Sequence, residues 1–393
     1  LQANTNFSAW LRDLVKDAGI LPFWRFMRLA LYHPAHGYYE KSLGQVGRRG
    51  DFFTSVSVGP LFGELLSWQF AQWASQAAWP QWHIVEAGAH DGTLALDILN
   101  TLTASPISLA NHFQYTIIEP SSPRRLAQQK KLARYNDIVS WASGWPELKP
   151  AKVKGIIFAN ELLDAFPVFR FAWNGTRGSW QEWGVTCDQD RFAWQIIPDI
   201  QSIKADPEES LLRQEALAML EVKIPGDLQA GLPEGYTVEI GPESTRWWRQ
   251  AGSHLEAGYL LTLDYGLTKA EFWAANRTAG NLKAFRNHCV VADALANPGN
   301  QDITAPIDFS QLQTTGEQNG LQTISLVRQE TFLTNIMAAM HAHQPSPMAW
   351  DANRIRQFQT LIHPSHLGWN FKVLVQSQGI GHPPGLGRGR FFP

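Results

Sequence analysis

Residues 85–99 read Val-Glu-Ala-Gly-Ala-His-Asp-Gly-Thr-Leu-Ala-Leu-Asp-Ile-Leu: an apolar strand closing on Glu86, a turn carrying Gly88 and Gly92, then an amphipathic helix. A strand that passes into a helix through glycines is the cofactor turn of an open α/β sheet. Glycine lets the backbone approach a ligand closely, and the N–H groups at the helix start attract one. The dinucleotide fingerprint has glycine at its first, third and sixth places. Here those places hold Gly88, His90 and Thr93, so two of them fail. Asp91 stands where a pyrophosphate would lie, and like charges repel there. A cofactor without phosphate suits this turn better.

S-adenosylmethionine is such a cofactor, built from an adenosine, an amino acid and a sulfonium. A second strand over 114–118 closes on Glu119. A carboxylate in that place accepts hydrogen bonds from both ribose hydroxyls of an adenosine, each contributing about 1.5–3 kcal/mol. Ser122-Pro123 then opens a helix, serine as cap and proline at its first position. The candidate cofactor residues of this region are Glu86, Gly88, His90, Gly92 and Glu119.

Around the turn the chain alternates. Helix 93–102 sets Leu94, Ala95, Ile98, Leu99 and Leu102 on one face, the stripe that covers a sheet. Further strands are predicted over 138–141 and 155–159, and such alternation argues for a parallel sheet covered on both faces. Residues 168–197 change to alternating apolar and polar positions, with turns at Asn174-Gly175 and at 188–190, the pattern of antiparallel hairpins. Strands over 236–240, 259–263 and 321–327 resume the core, with a helix from Pro242 closed by Gly258. The expected organisation is an N-terminal helical cap over 1–80, a Rossmann-like core over 81–167 and 235–330, and a hairpin-plus-helix insertion over 168–234. A C-terminal helical extension and tail is expected over 331–393. The cap is read as helices over 7–17, 23–31 and 61–73, with a glycine-rich loop over 44–59 between them.

The 393 residues, 44% of them hydrophobic, suffice for one large core or two domains. No apolar run approaches the ~18 residues of a spanning helix, so no membrane insertion is expected. A formal net charge of -2 leaves no electrostatic footprint for nucleic acid. The basic cluster Arg124, Arg125, Lys130, Lys131 and Arg134 reads as a solvated helix face. Cys187 and Cys289 imply no disulfide framework and point to a reducing compartment: the cytoplasm, or the mitochondrial matrix if a presequence has been removed. His341 and His343 have no third ligand of matching logic, so no metal is assigned. Oligomeric state leaves no mark in the sequence.

Several blocks then occur in a telling order: Leu31-Tyr32-His33-Pro34 with Gly37-Tyr38-Tyr39, Gly50-Asp51-Phe52 with Phe62-Gly63-Glu64, the Glu86 turn, Ala159-Asn160-Glu161 with Asp164-Ala165, Asp264-Tyr265-Gly266, and Asp302-Ile303-Thr304 with Asp308-Phe309. The sequence resembles the MidA-like S-adenosylmethionine-dependent methyltransferases, which include a mitochondrial arginine methyltransferase that assists respiratory complex I assembly. The resemblance implies an α/β class I methyltransferase fold with an N-terminal helical cap, and methylation of an arginine side chain on a partner protein. His90 stands where the family usually keeps glycine, and Val56-Ser57 where Pro-Glu is common.

Methyl transfer from a sulfonium is an in-line displacement, so a protein supplies positioning, exclusion of water and a place for the lost proton. A guanidinium, with its pKa above ~12, enters protonated and calls for carboxylates to orient it. Ligands of open α/β sheets lie beyond the carboxyl ends of the strands, which singles out Asn160, Glu161 and Asp164. Glu161 and Asp164 are the candidate substrate carboxylates, Asn160 an orienting amide, and His288, near Arg286, a candidate proton acceptor. Asp264 and Tyr265 either complete the pocket wall or form a strand-end turn. Gly50, Asp51 and Thr54 are expected to contact the amino-acid end of the cofactor, or to cap the next helix. Two other readings of the chain are a small-molecule methyltransferase of the same fold and a non-catalytic assembly factor that binds S-adenosylmethionine.

Overall fold

The computed structural model describes residues 2–41, 54–104, 113–199, 206–223, 231–287, 289–342 and 350–380. Two compact units alternate along the chain. One comprises Leu1–Ser42, Asp164–Arg246 and Leu267–Asp308, the other Leu43–Leu163, Trp247–Gly266 and Phe309–Pro393.

The second unit is built on strands β1 (Trp82–Ala87), β2 (Phe113–Ile118), β3 (Val139–Ala142), β4 (Val153–Asn160), β5 (Leu255–Leu267), β6 (Gln322–Arg328) and β7 (Phe371–Gln378). Their order is β6-β7-β5-β4-β1-β2-β3. The strands from β5 to β3 run parallel, whereas β7 lies antiparallel to both β5 and β6. The chain winds outward from β1 through β2 and β3, then returns to place β4 on the other side of β1. That reversal opens a crevice at the carboxyl ends of β1 and β4, where such sheets bind ligands.

Paired positions share a face, so Ile84, Ile117, Phe158, Leu261 and Val373 form one continuous apolar layer. Helix Leu61–Gln76 covers it through Phe62, Leu65, Leu66, Phe70 and Trp73, at the three- and four-residue spacing of one helix face. Helix Thr93–Ala104 does the same through Leu94, Ala95, Ile98, Leu99 and Leu102. The parallel strands meet at two glycines of positive φ. A Cβ at Gly155 (φ 149°) would lie 2.0 Å from the His83 carbonyl oxygen, and one at Gly258 (φ 137°) 1.9 Å from that of Gly155.

The first unit holds an antiparallel sheet in which Phe169–Asn174, Ser179–Asp188 and Arg191–Ile196 succeed one another through short turns. Its core is aromatic, with Trp24, Phe169, Phe171, Trp173 and Tyr236 buried against Leu212, Ala216 and Leu220 of helix Pro207–Lys223. Under that layer the Arg213 guanidinium pairs with Glu182 at 2.8 Å and Glu209 at 2.7 Å.

The α/β fold class and the hairpin region stand as expected. Four finer expectations do not. Strand Thr237–Ile240 pairs with Phe169–Asn174 in the antiparallel sheet instead of entering the parallel one. The helix from Pro242 stops at His254, because Gly258 lies inside β5. Helix Leu61–Gln76 belongs with the parallel sheet and not with the amino-terminal helices. Finally, the carboxyl-terminal region is not helical throughout: Phe371–Gln378 is a central strand, a short apolar run of the kind whose period does not separate strand from helix.

Candidate active site

The turn after β1 is made by three residues of positive φ: Gly88 (73°), His90 (48°) and Gly92 (79°). The positive φ favours glycine at Gly88, where a Cβ would also come within 2.7 Å of the end of the Leu162 side chain. Asp91 stands two residues before helix Thr93–Ala104 and satisfies its first N–H. Its carboxylate accepts from the Thr93 N–H at 3.0 Å and from the Thr93 hydroxyl at 2.9 Å, while the Lys131 ammonium sits at 2.5 Å. Burial works against its charge, but His90, Lys131 and Thr93 together hold the carboxyl well below the usual carboxylate range. The Asp91 carboxylate, paired with Lys131, thus already occupies the Thr93 N–H at the helix start that a phosphate would use.

Glu86 and Glu119 end the neighbouring strands β1 and β2. Glu86 is buried and accepts a 2.7 Å hydrogen bond from the Tyr115 hydroxyl, and burial pushes its carboxyl up to about 8. Glu119, 4% exposed, is fixed through both oxygens. Oε1 accepts from the Ser121 N–H at 3.0 Å and Oε2 from the Gln128 side-chain amide at 3.3 Å.

Asn160 ends β4 and Glu161 follows it. Glu161 adopts φ 51°, unusual for a residue with a side chain, and its N–H donates to the Leu263 carbonyl at 2.9 Å. Its Oε1 accepts from the Ser55 N–H at 3.0 Å and from the Asn160 amide at 3.3 Å. Burial, opposed by the Ser55 hydrogen bond and aided by the nearby Asp264 charge, pushes the Glu161 carboxyl up to about 8. Asp264 is fully buried and braces the turn: its Oδ2 accepts from the N–H groups of Leu162 at 3.2 Å and Leu163 at 2.9 Å. Of the two readings of Asp264, the strand-end turn describes its contacts.

Thr54 caps helix Ser55–Val58, its hydroxyl accepting from the Ser57 N–H at 3.0 Å, so the departure at Val56-Ser57 falls in a capped turn. Gly50, Asp51, His288 and His343 lie outside the described residues. Asp164 falls in the other unit, in the short turn Leu163–Ala165, where its carbonyl accepts from the Ala305 N–H at 2.8 Å. Sequence reasoning missed Tyr115, Gln128, Ser55 and Gln329. The last accepts from the Ser55 hydroxyl at 3.1 Å and donates to the Leu361 carbonyl at 3.0 Å. Among the described residues no group of three or more His, Cys, Asp or Glu side chains is placed to hold a metal ion.

The remaining polar atoms suit a ligand with both donors and acceptors. Buried His90 Nε2 and Asn160 Oδ1 have no hydrogen-bond partner among the described residues, at the ends of β1 and β4. With two positive-φ glycines and the Glu119 carboxylate, these residues fit an adenosyl cofactor. Residues 65–327 match the family model described as "Putative S-adenosyl-L-methionine-dependent methyltransferase". The chain belongs to this methyltransferase family. The methyltransferase is 26% identical over 362 residues to "Protein arginine methyltransferase NDUFAF7 homolog, mitochondrial" of Drosophila melanogaster, covering 85% of this chain and 75% of that protein. To "Protein arginine methyltransferase NDUFAF7, mitochondrial" of Mus musculus it is 27% identical over 349 residues, covering 82% and 72%. A crystal structure of a superfamily member from Burkholderia thailandensis, bound to S-adenosyl-homocysteine, superposes with TM-score 0.77 at 28% identity, over 96% of this chain and 93% of that one. The methyltransferase thus has the class I fold and uses S-adenosylmethionine. The location carried in the relatives' names runs against the cytoplasmic expectation.

Proposed function

We propose that this methyltransferase acts on arginine side chains of a partner protein. The observation that carries the reading is Glu161, a half-buried side chain at the end of a central strand, turned by a positive φ and set by Ser55 and Asn160. The names of the relatives support the same acceptor, and favour a mitochondrial location over the cytoplasm. The link to respiratory complex I assembly that the family resemblance implies belongs to this proposal.

Bound S-adenosylmethionine supplies an electrophilic methyl group on a sulfonium. The residues of the chain do the rest. A guanidinium brings its own charge, which stabilises ionised Glu161 and draws that carboxyl down from about 8. The pair orients one guanidinium nitrogen, and Glu161 takes the proton that methylation releases. In this proposal Asn160 positions the carboxylate. Glu119 holds the ribose, and Glu86, Gly88, His90 and Gly92 shape the cofactor cradle, with Gly50, Asp51 and Thr54 on the amino-acid side.

The test is transfer of labelled methyl from S-adenosylmethionine to lysate proteins, followed by mass spectrometry of the labelled products. Methylated arginine is the expected product. Label confined to small molecules, or to another side chain, overturns the proposal, and absence of any transfer supports the binding-only reading. Glu161→Gln is expected to keep cofactor affinity while transfer falls about 100-fold or more, the scale of a lost general base.

A further inference from the structure

We infer that Gln128 is the positioning residue of the cofactor cradle: one buried amide that ties the Glu119 carboxylate to the glycine turn at His90. Gln128 lies in helix Ser122–Lys131, a mostly polar helix in which it is fully buried. Its Nε2 donates to the His90 carbonyl at 2.9 Å and to Glu119 Oε2 at 3.3 Å. Its Oε1 accepts from the Trp141 indole at 3.1 Å. Two acceptors on one side and a donor on the other leave a single orientation for the amide. Trp141, on β3, thereby sets which way Gln128 faces.

Both groups that Nε2 holds need holding. His90 sits at φ 48°, a left-handed conformation that residues with a side chain rarely adopt. Its carbonyl is kept in place by the Gln128 bond. Glu119 has its other oxygen on the Ser121 N–H, so Gln128 fixes the second oxygen and with it the plane of the carboxylate. The Gln128 stem also backs the turn, since a Cβ at Gly92 would lie 3.5 Å from its Cγ. One residue of the next helix therefore sets the spacing between the glycine turn and the Glu119 carboxylate. Affinity for the adenosyl group follows from that spacing without a contact between Gln128 and the ligand.

The inference rests on Glu119 as the ribose anchor, and the experiment separates the two. Binding of S-adenosylhomocysteine is measured by calorimetry on the full chain for wild type, Glu119→Ala, Gln128→Met, Gln128→Glu and the Glu119→Ala/Gln128→Met double variant. Thermal unfolding without ligand checks each fold. Gln128→Met keeps the shape of the side chain and is expected to weaken binding about 10-fold, equivalent to about 1.4 kcal/mol. Gln128→Glu keeps the acceptor for Trp141 but faces the two acceptors with a third, and is expected to weaken binding further. In the Glu119→Ala background the Gln128→Met loss should shrink to about 3-fold or less, because coupled residues are not additive. Unimpaired binding by Glu119→Ala sinks the ribose anchor and the inference together. Impaired Glu119→Ala with normal Gln128→Met, or a Gln128 loss undiminished in the double variant, overturns the inference alone. Should the Gln128 variants not fold, Trp141→Phe releases the amide without touching the cradle. A loss of about 3-fold then supports the inference, and wild-type affinity refutes it.

Discussion

Glu161 combines two costs that a merely structural residue would shed: a left-handed backbone and a half-buried carboxyl whose charge desolvation disfavours. The backbone is held by its own N–H on Leu263 and by Asp264, which collects the next two N–H groups. The carboxyl has a consequence that can be measured. In the unfolded chain it titrates near its ordinary value of 4.5, but in the folded one near 8, as does Glu86. Between those values the folded state binds more protons than the unfolded state, so stability is full below about pH 4.5 and is lost as pH rises toward 8. Denaturant unfolding from pH 5 to 8 should show that decline in wild type and a shallower one in Glu161→Gln. An identical slope in the variant would show that Glu161 is ionised throughout. At this scale the sequence told most where the chain is contiguous. Gly88, Gly92, Glu86 and Glu119 were legible because strand, turn and helix follow one another within a short stretch. Ser55, Tyr115, Gln128 and Gln329 were not, because each acts through hydrogen bonds to residues distant in sequence that no local pattern announces.

Single elements depend on a few close approaches. β1, β4 and β5 come together at Gly155 and Gly258, where a Cβ would stand 2.0 Å and 1.9 Å from a backbone oxygen. Backbone, unlike a flexible side chain, cannot step aside, and the positive φ adds strain of about 1–3 kcal/mol for any other residue. Gly155→Ala should therefore lower unfolding stability by about 2 kcal/mol or more, read as a reduced denaturation midpoint. Gly178→Ala is the control: it shares a positive φ but has nothing within 4 Å of the added Cβ, so it should cost less. Equal losses in the two variants would mean that the clash at Gly155 relaxes freely. The element that sequence reasoning misread, β7, shows the reverse case. Its run Phe-Lys-Val-Leu-Val-Gln-Ser-Gln is apolar enough for a buried strand, yet nothing within it tells of the partners, β5 and β6, between which it lies.

At the scale of the molecule, β7 makes the carboxyl-terminal part of the chain essential to the sheet. It pairs along its length with β5 on one side and with β6 on the other, and Val373, Leu374 and Val375 are fully buried. Removing it would leave β6 without a neighbour and expose the flank of β5, an open edge lined with apolar side chains. The alternation of the two units along the chain has a similar root. Segments 164–246 and 267–308 belong to the other unit although they interrupt the parallel sheet in sequence. Strand Thr237–Ile240 has the look of a core strand but finds its partner in Phe169–Asn174. Alternation of strands and helices identified the sheet, and the ordered motif blocks identified the family, because both are written in consecutive residues. Which distant segment completes which sheet is decided by pairing, and pairing is not local. A chain ending at Asn370 tests this dependence. It retains every residue proposed for the cofactor and the acceptor, so on a purely local view it should still bind S-adenosylhomocysteine. If β7 closes the sheet, the shortened chain should instead be insoluble or lack a cooperative unfolding transition, with no measurable ligand heat in calorimetry. A soluble, ligand-binding truncation would show that the five parallel strands suffice and that β7 is dispensable for the cofactor crevice.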